Sequence, residues 1–304
     1  MTFDAVILKL AEVMPEGNII KNCDMSKATS FRAGGRALAM ICPEDVTRLR
    51  KALQILSRSG IPYAVMGNGT NILITDGGYQ GVIVKIGEAF SEINIIGQEL
   101  TCGAGTLISA AAKAAMEAGL SGFEFASGIP GSMGGAVFMN AGAYGNEMKN
   151  IVKCVNIMSR DGEREYVLFN EELAFSYRRS ILYSSEDIVT GITIKLEKGR
   201  KDAIKEKMLE INALRNEKQP VSTPSAGSFF KRPPGHFAGK LIEEAGLKGL
   251  SVGGAAVSDL HAGFIVNNNN ATATDIIDLM NIVQLTVHDK FGINLEPEVR
   301  IIGD

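Results

Sequence analysis

Apolar residues in the first part of the chain fall into short runs interrupted by one helical stripe. RALAMIC, residues 36–42, reads as a strand, after which Pro43, Glu44 and Asp45 open a helix. Val46, Leu49, Leu53 and Leu56 recur on one face of that helix until Gly60 stops it. The runs YAVM, NILIT and GVIVKI predict three further strands. From residue 84 to about 198 strand patterns dominate: SEINIIG, ELTCGAG, IVKCVNIMSR, REYVLF and DIVTGITIKLE, with Asp161 and Gly162 as a hairpin turn. A single helix, from Thr106 to about Ala118 with Gly119 as its stop, interrupts them. Beyond residue 199 a charged helix runs from Asp202 to about Lys218 and ends before Pro220, its KDAIKEK stretch being a solvated face. A second helix there, capped by Thr274, carries Ile276, Met280, Val283, Val287 and Phe291 as a core stripe. The tract Asn267 to Asn270 reads as a polar turn without chemistry. These changes of texture divide the chain into 1–83, 84–198 and 199–304.

Composition narrows the function classes. With 304 residues, 45% hydrophobic and 21% charged, and a formal charge of -3, the chain can bury a large core and has no electrostatic case for nucleic acid or an anionic membrane. No run approaches the roughly eighteen apolar residues of a membrane span. Asp4, Lys9 and Glu12 break up any signal-peptide core, so a cytoplasmic address and small-molecule partners are expected. Cys23, Cys42, Cys102 and Cys154 lack CxxC spacing and read as reduced thiols. The three histidines form no metal-ligand spacing, and no metal is expected.

Two glycine-rich stretches, MGNGTNILITDGGYQG at residues 66–81 and ASGIPGSMGGAVFMNAGAYG at residues 126–145, hold eleven of the 34 glycines. Glycine permits positive φ and lets a ligand approach the main chain, and successive exposed N–H groups favour phosphates. The Walker pattern is absent, and Ile72 stands where a Rossmann turn needs its third glycine. A phosphate-bearing ligand held by two loops is therefore expected, with plain tight turns as the alternative.

Three other segments carry chemistry-bearing side chains. In FSYRRS, residues 175–180, the Arg178 guanidinium suits a carboxylate or phosphate, or a surface ion pair. In SAGSFFKRPPG, residues 225–235, bulk around Ser228 would let its hydroxyl donate a proton in a dry site, or it caps a turn. In LEPEVRII, residues 295–302, Glu298 and Arg300 share one face of an expected strand, alternating with Val299 and Ile301.

The order and wording of these segments resemble the UDP-N-acetylenolpyruvoylglucosamine reductase family. SFRAGGRA, MGNGTNILITDGGYQGVIV, GIPGSMGGAVFMNAGAYG, FSYRRS, AGSFFKRP, GGAAVSDLHAGFIVN and LEPEVRIIG cover nearly the whole chain. Only 49 residues separate Arg178 from Ser228, which is similar to the shorter branch lacking an extra substrate-covering loop. The resemblance implies an α+β chain: a two-part FAD-binding module of the vanillyl-alcohol-oxidase type, 1–83 and 84–198, and a C-terminal α+β substrate domain, 199–304. It implies NADPH as reductant and non-covalent FAD, since no histidine precedes His236. Gly67, Asn68, Gly69, Thr70, Asn71, Gly128, Ser132, Gly134, Gly135 and Gly142 would hold the FAD pyrophosphate region, with Arg215 and Arg300 reaching the flavin.

For the reaction, the resemblance implies Ser228 as proton donor and Arg178 and Glu298 as the remaining catalytic pair. Lys231 or Arg232 would stabilise the serine alkoxide. Tyr144, Lys231, Arg232 and His261 would contact substrate, His261 being otherwise a packed ring. The chain is expected to act as a monomer. Two other readings stay open: a different oxidoreductase on the same flavin fold, and a flavin-binding regulator without turnover.

Overall fold

The structure, a computed structural model, describes residues 1–303. Its chain forms two compact units, each discontinuous in sequence. One comprises residues 1–21, 39–68 and 81–213; the other comprises residues 22–38, 69–80 and those from 214 on. The sequence textures change only near residues 83 and 198, because texture follows element order whereas the units follow packing.

The first unit begins with α1 (Phe3–Ala11), whose Val6, Ile7 and Leu10 are buried. It packs on α2 (Val46–Ser59). The expected start and stop of α2 hold: Asp45 accepts the Arg48 N–H at 2.8 Å, and Gly60 leaves the helix at φ +77°. Leu49, Ala52, Leu53 and Leu56 form its buried face. Beside it, Tyr63–Met66 pairs in parallel with the end of Tyr79–Lys85.

A five-stranded antiparallel sheet follows, in the order Glu165–Phe169, Val152–Met158, Ile188–Lys195, Glu99–Gly103 and Ile93–Ile96. The first two strands turn through Asp161 and Gly162 as expected, Gly162 standing at φ +74°. Small residues cover the sheet: α3 (Ile108–Glu117) buries Ile108, Ala111, Ala112 and Ala115. It is two residues shorter at its start than the pattern predicts. Two short helices, α4 (Met133–Phe138) and α5 (Leu182–Ser185), complete this core.

Helix α6 (Lys201–Lys218) leads out of the first unit and buries only Ile204 and Ile211, so its charge run is solvated. The second unit has its own core, around Phe31, Phe229, Leu73 and the inner face of α8 (Ala273–Phe291), with α7 (Ala238–Glu244) beside it. Helix α8 covers a three-stranded antiparallel sheet of Ser251–Val252, Ala255–Val257 and Ile265–Asn267. Ile276, Met280, Val283 and Val287 are buried, and Phe291 packs at the edge.

The cap of α8 differs from the expectation. Thr272, not Thr274, is the N-cap, because only Thr272 has an acid three positions on. Asp275 N–H donates to Thr272 Oγ1 at 3.0 Å, and Thr272 N–H to Asp275 Oδ2 at 2.9 Å. Thr274 is instead gripped by Asp76, which accepts from the Ala273 and Thr274 N–H groups at 2.9 and 2.8 Å and from the Thr274 hydroxyl at 2.7 Å. The strand expected around Glu298 begins only at Arg300: Arg300–Ile302 pairs in parallel with Ile72–Ile74. Ile301 is exposed, so the expected alternation fails after Val299.

Candidate functional site

In the first unit the two glycine-rich stretches meet. Gly67 follows the strand Tyr63–Met66, and a Cβ added there would lie far inside van der Waals contact of Ser132 Oγ and 3.4 Å from Ser132 Cβ. Only a bare Cα fits that approach. Ser132 opens α4, and the next turn is laced down by Met133 N–H to the Thr106 carbonyl and Gly134 N–H to the Ala104 carbonyl, each 2.8 Å. A side chain at Gly134 would come 2.9 Å from Ala104 Cβ. Gly128 lies in the turn just before this, and Gly135 inside α4.

The second stretch ends in a tight hairpin. Gly142–Ala143 pairs with Asn146–Glu147, and the two residues between, Tyr144 and Gly145, both have positive φ, the signature of a type I′ turn. The Tyr144 hydroxyl donates to the Ile211 carbonyl at 3.3 Å.

Arg178 sits in the same unit. Ser176 and Arg179 pair across a two-residue turn, with Arg178 in its second place at φ +53°. That place ordinarily takes Gly or Asn. Its guanidinium donates to the Gly142 carbonyl at 3.1 Å and lies 5.2 Å from the Tyr177 ring centre.

The remaining candidates belong to the second unit. Gly69 needs its φ of +66°, and a Cβ there would meet the Ala28 carbonyl and approach Thr29 Cα to 3.2 Å. Ser30 N–H donates to the Gly69 carbonyl at 3.0 Å, while the enclosed Ser30 hydroxyl has no hydrogen-bond partner. Asn71 joins this loop to the C-terminal segment: its Nδ2 donates to the Glu298 carbonyl at 3.1 Å, and its carbonyl accepts Arg300 N–H at 3.0 Å. Residues 229–231 and 296–298 form a short antiparallel ladder, with Glu298 N–H to the Phe229 carbonyl and Lys231 N–H to the Glu296 carbonyl, each 2.8 Å. Glu298 thereby pairs with Phe229, and Ser228 directly precedes the ladder.

The surroundings of Ser228 differ from the sequence expectation. Phe229 and Phe230 turn into the core, where Phe229 stacks edge-on against Phe31 at 6.1 Å, and Ser228 is left exposed. Both rings serve packing rather than walls around the hydroxyl. The Lys231 ammonium is ion-paired with Glu296, and the Arg232 guanidinium lies 4.5 Å from the Phe237 ring centre. His261 Nδ1 accepts the Gly263 N–H at 3.0 Å, and its ring meets Phe264 edge-on. Burial holds the His261 pKa below the usual imidazole value, and Nδ1, being an acceptor, leaves the ring proton to Nε2. Arg215 lies in the last turn of α6.

The structure also shows two asparagines to which the sequence reading gave no role. Asn140 is fully buried, donating to the Ser176 carbonyl at 3.0 Å and accepting Lys149 N–H at 2.9 Å. Asn267, placed in a turn without chemistry, is buried, donates to the Phe31 and Arg32 carbonyls at 2.9 and 3.2 Å, and accepts Ala271 N–H at 2.8 Å. Both orient backbone that side-chain motifs alone do not reveal. Among the described residues no group of His, Cys, Asp or Glu could hold a metal ion, and no helix is long and apolar enough to cross a membrane. A nucleotide cofactor fits the loop of the second unit, where Gly69 stands bare against the Ala28 and Thr29 backbone and the enclosed Ser30 hydroxyl lacks a hydrogen-bond partner.

Comparisons with known proteins agree. A model of the family described as FAD binding domain matches residues 37–166, and that of the UDP-N-acetylenolpyruvoylglucosamine reductase C-terminal domain matches residues 219–302. UDP-N-acetylenolpyruvoylglucosamine reductase of Caldanaerobacter subterraneus subsp. tengcongensis is 46% identical over 301 residues, 99% of each chain. The reductase of Clostridioides difficile is 44% identical over 299 residues, 98% of each. The crystal structure of the Thermus caldophilus reductase superposes with a TM-score of 0.79 at 36% identity, covering 92% of this chain and 97% of that one. A grass-pollen glucose dehydrogenase, Phl p 4, shares the fold alone: TM-score 0.51 at 14% identity, over 65% of this chain and 44% of that one.

Proposed function

The chain belongs to the UDP-N-acetylenolpyruvoylglucosamine reductase family and is an α+β, FAD-dependent oxidoreductase of peptidoglycan synthesis; from that premise we propose how its own residues serve the reaction. Residues 1–83 and 84–198 bind FAD and residues 199–304 bind the UDP-sugar. The enzyme is a cytoplasmic monomer, and NADPH is its reductant. FAD, bound non-covalently, would supply the redox chemistry, hydride transfer between NADPH and the terminal vinyl carbon of the substrate.

Gly67, Asn68, Gly69, Thr70 and Asn71 in the first loop, and Gly128, Ser132, Gly134, Gly135 and Gly142 in the second, form the FAD pyrophosphate region, Gly134 through its bare Cα because its N–H already serves the Ala104 carbonyl. Arg215 and Arg300 would reach the flavin. Negative charge then develops on the enolpyruvyl group, and the protein has to stabilise it and supply one proton. The Arg178 guanidinium pairs with the substrate carboxylate. The Ser228 O–H gives its proton to the α-carbon, converting the vinyl ether to a lactyl ether, and Glu298 assists enolisation. Tyr144, Lys231, Arg232 and His261 contact substrate, His261 through Nε2–H since Nδ1 is already engaged.

The observation that supports this reading is the hydrogen bond from Glu298 N–H to the Phe229 carbonyl, which brings the backbone of Glu298 beside the residue that follows Ser228. Its test is anaerobic. NADPH should bleach the flavin band of the purified holoenzyme, and the enolpyruvyl nucleotide should restore it. In Ser228→Ala bleaching should persist while reoxidation slows by about 100-fold or more. Reoxidation at the wild-type rate in that variant would remove Ser228 from the mechanism, and flavin that NADPH never bleaches would remove NADPH.

A further inference from the structure

We infer that Asn140 is a positioning residue for Arg178, holding the guanidinium through a closed ring of backbone and side-chain links. The inference rests on the proposed role of Arg178. Asn140 Nδ2 donates to the Ser176 carbonyl at 3.0 Å; two residues on, the Arg178 guanidinium donates to the Gly142 carbonyl at 3.1 Å; and Gly142 is two residues from Asn140. The ring therefore has two covalent sides, residues 140–142 and 176–178, and two hydrogen-bonded rungs.

Each rung is fixed in direction. Lys149 N–H donates to Asn140 Oδ1 at 2.9 Å, so only one orientation of the amide satisfies both neighbours. The Ser176 carbonyl accepts Arg179 N–H at 3.2 Å as well as the Asn140 amide, so both its lone pairs are used. Asn140 itself stands at φ +48° and Arg178 at φ +53°, two left-handed non-glycine residues bound into one ring. Such conformations persist where the surroundings over-determine them, and they cluster where geometry serves function. The fully buried amide has no access to solvent, so the protein alone supplies its hydrogen bonds. A guanidinium that must meet a carboxylate as charge develops needs placement to within a fraction of an ångström, and a misplacement of about 1 Å costs on the order of 100-fold.

Two substitutions tolerate the left-handed backbone and test the link. Asn140→Asp keeps the acceptor for Lys149 but sets an oxygen against the Ser176 carbonyl; Asn140→Gly removes both bonds without strain. In stopped-flow work on the holoenzymes, both should slow flavin reoxidation by the enolpyruvyl nucleotide by about 10- to 100-fold, leaving reduction by NADPH and FAD retention within about twofold of wild type. In the Asp variant reoxidation should recover as pH falls, because a protonated carboxyl again donates to Ser176, while the Gly variant should stay flat. Equal slowing of both half-reactions, loss of FAD, wild-type reoxidation, or the same pH profile in both variants would overturn the inference. If neither variant folds, the ring is a folding element and the inference is likewise overturned. Arg178→Gln separates the two readings: if it reoxidises like wild type, the proposed role of Arg178 fails, whereas slow reoxidation there with unaffected Asn140 variants sinks only the positioning link.

Discussion

Gly67→Ala is the sharpest probe of how the two glycine-rich stretches are joined. The new methyl carbon would overlap Ser132 Oγ outright, while Ser132 Cβ would remain 3.4 Å away, an ordinary contact. Ser132 is only 4% exposed, so its hydroxyl has little room to swing aside. Overpacking of this kind costs about 1–3 kcal/mol. If the unliganded loops relax and the FAD-bound loops cannot, the whole cost falls on the cofactor, weakening FAD roughly 5- to 150-fold. Removing only the offending oxygen should relieve it. Ser132→Ala in the Gly67→Ala background is expected to restore FAD affinity to within about threefold of the single Ser132→Ala variant, a coupling of 1 kcal/mol or so or more. Flavin fluorescence titration of the deflavinated proteins measures all four corners of the cycle. Additive effects would show that Gly67 is required for some reason other than its approach to Ser132.

Two other expectations concern the second place of the Ser176 turn and the cap of α8. Arg178→Gly relieves about 1–3 kcal/mol of left-handed strain and forfeits a hydrogen bond of about 1 kcal/mol, a partly exposed cation–π contact and some chain entropy. Urea melts should therefore change by no more than about 1 kcal/mol while turnover falls at least about 100-fold; a stability loss above about 2 kcal/mol would refute the strain argument. Burial raises the Asp76 carboxyl, but the hydrogen bonds from Thr274 and Ala273 outweigh it and hold the pKa below 3.8. A depressed folded value means that the stabilisation is present above about pH 3.8 and is lost as pH falls through the folded value. Asp76→Asn should cost about 0.5–2 kcal/mol at pH 7, toward the low end because the group is exposed, and the gap should narrow below pH 3.8; a gap independent of pH would refute the cap.

What was legible in the sequence was local and periodic. Asp45 and Gly60 mark α2 because capping is a matter of a few adjacent residues, and the α8 stripe is a matter of spacing. The strand expected around Glu298 failed because its register is set by Ile72–Ile74, more than 200 residues away. The Thr272 cap is two positions from the expected one although its signal, Asp275 three residues on, is local; what no short window contains is the grip of the distant Asp76 on Thr274. In sequence Phe229 and Phe230 look like walls for Ser228, because side-chain bulk is visible there and its direction is not. Asn140 and Asn267 escaped for the same reason: an asparagine that satisfies buried carbonyls looks like one that simply tolerates a turn.

The pairing of Ile72–Ile74 with Arg300–Ile302 also sets a timetable for synthesis. At about 5–20 residues per second, the ribosome delivers the second strand roughly ten to fifty seconds after the first. Until then Ile72, Leu73 and Ile74 have backbone groups without their native partner, and the core that buries Leu73 is completed only as residues 226–299 emerge. Nascent chains of this protein thus carry an apolar, strand-prone segment through most of their translation, and chaperones that bind such segments have a long window in which to protect it.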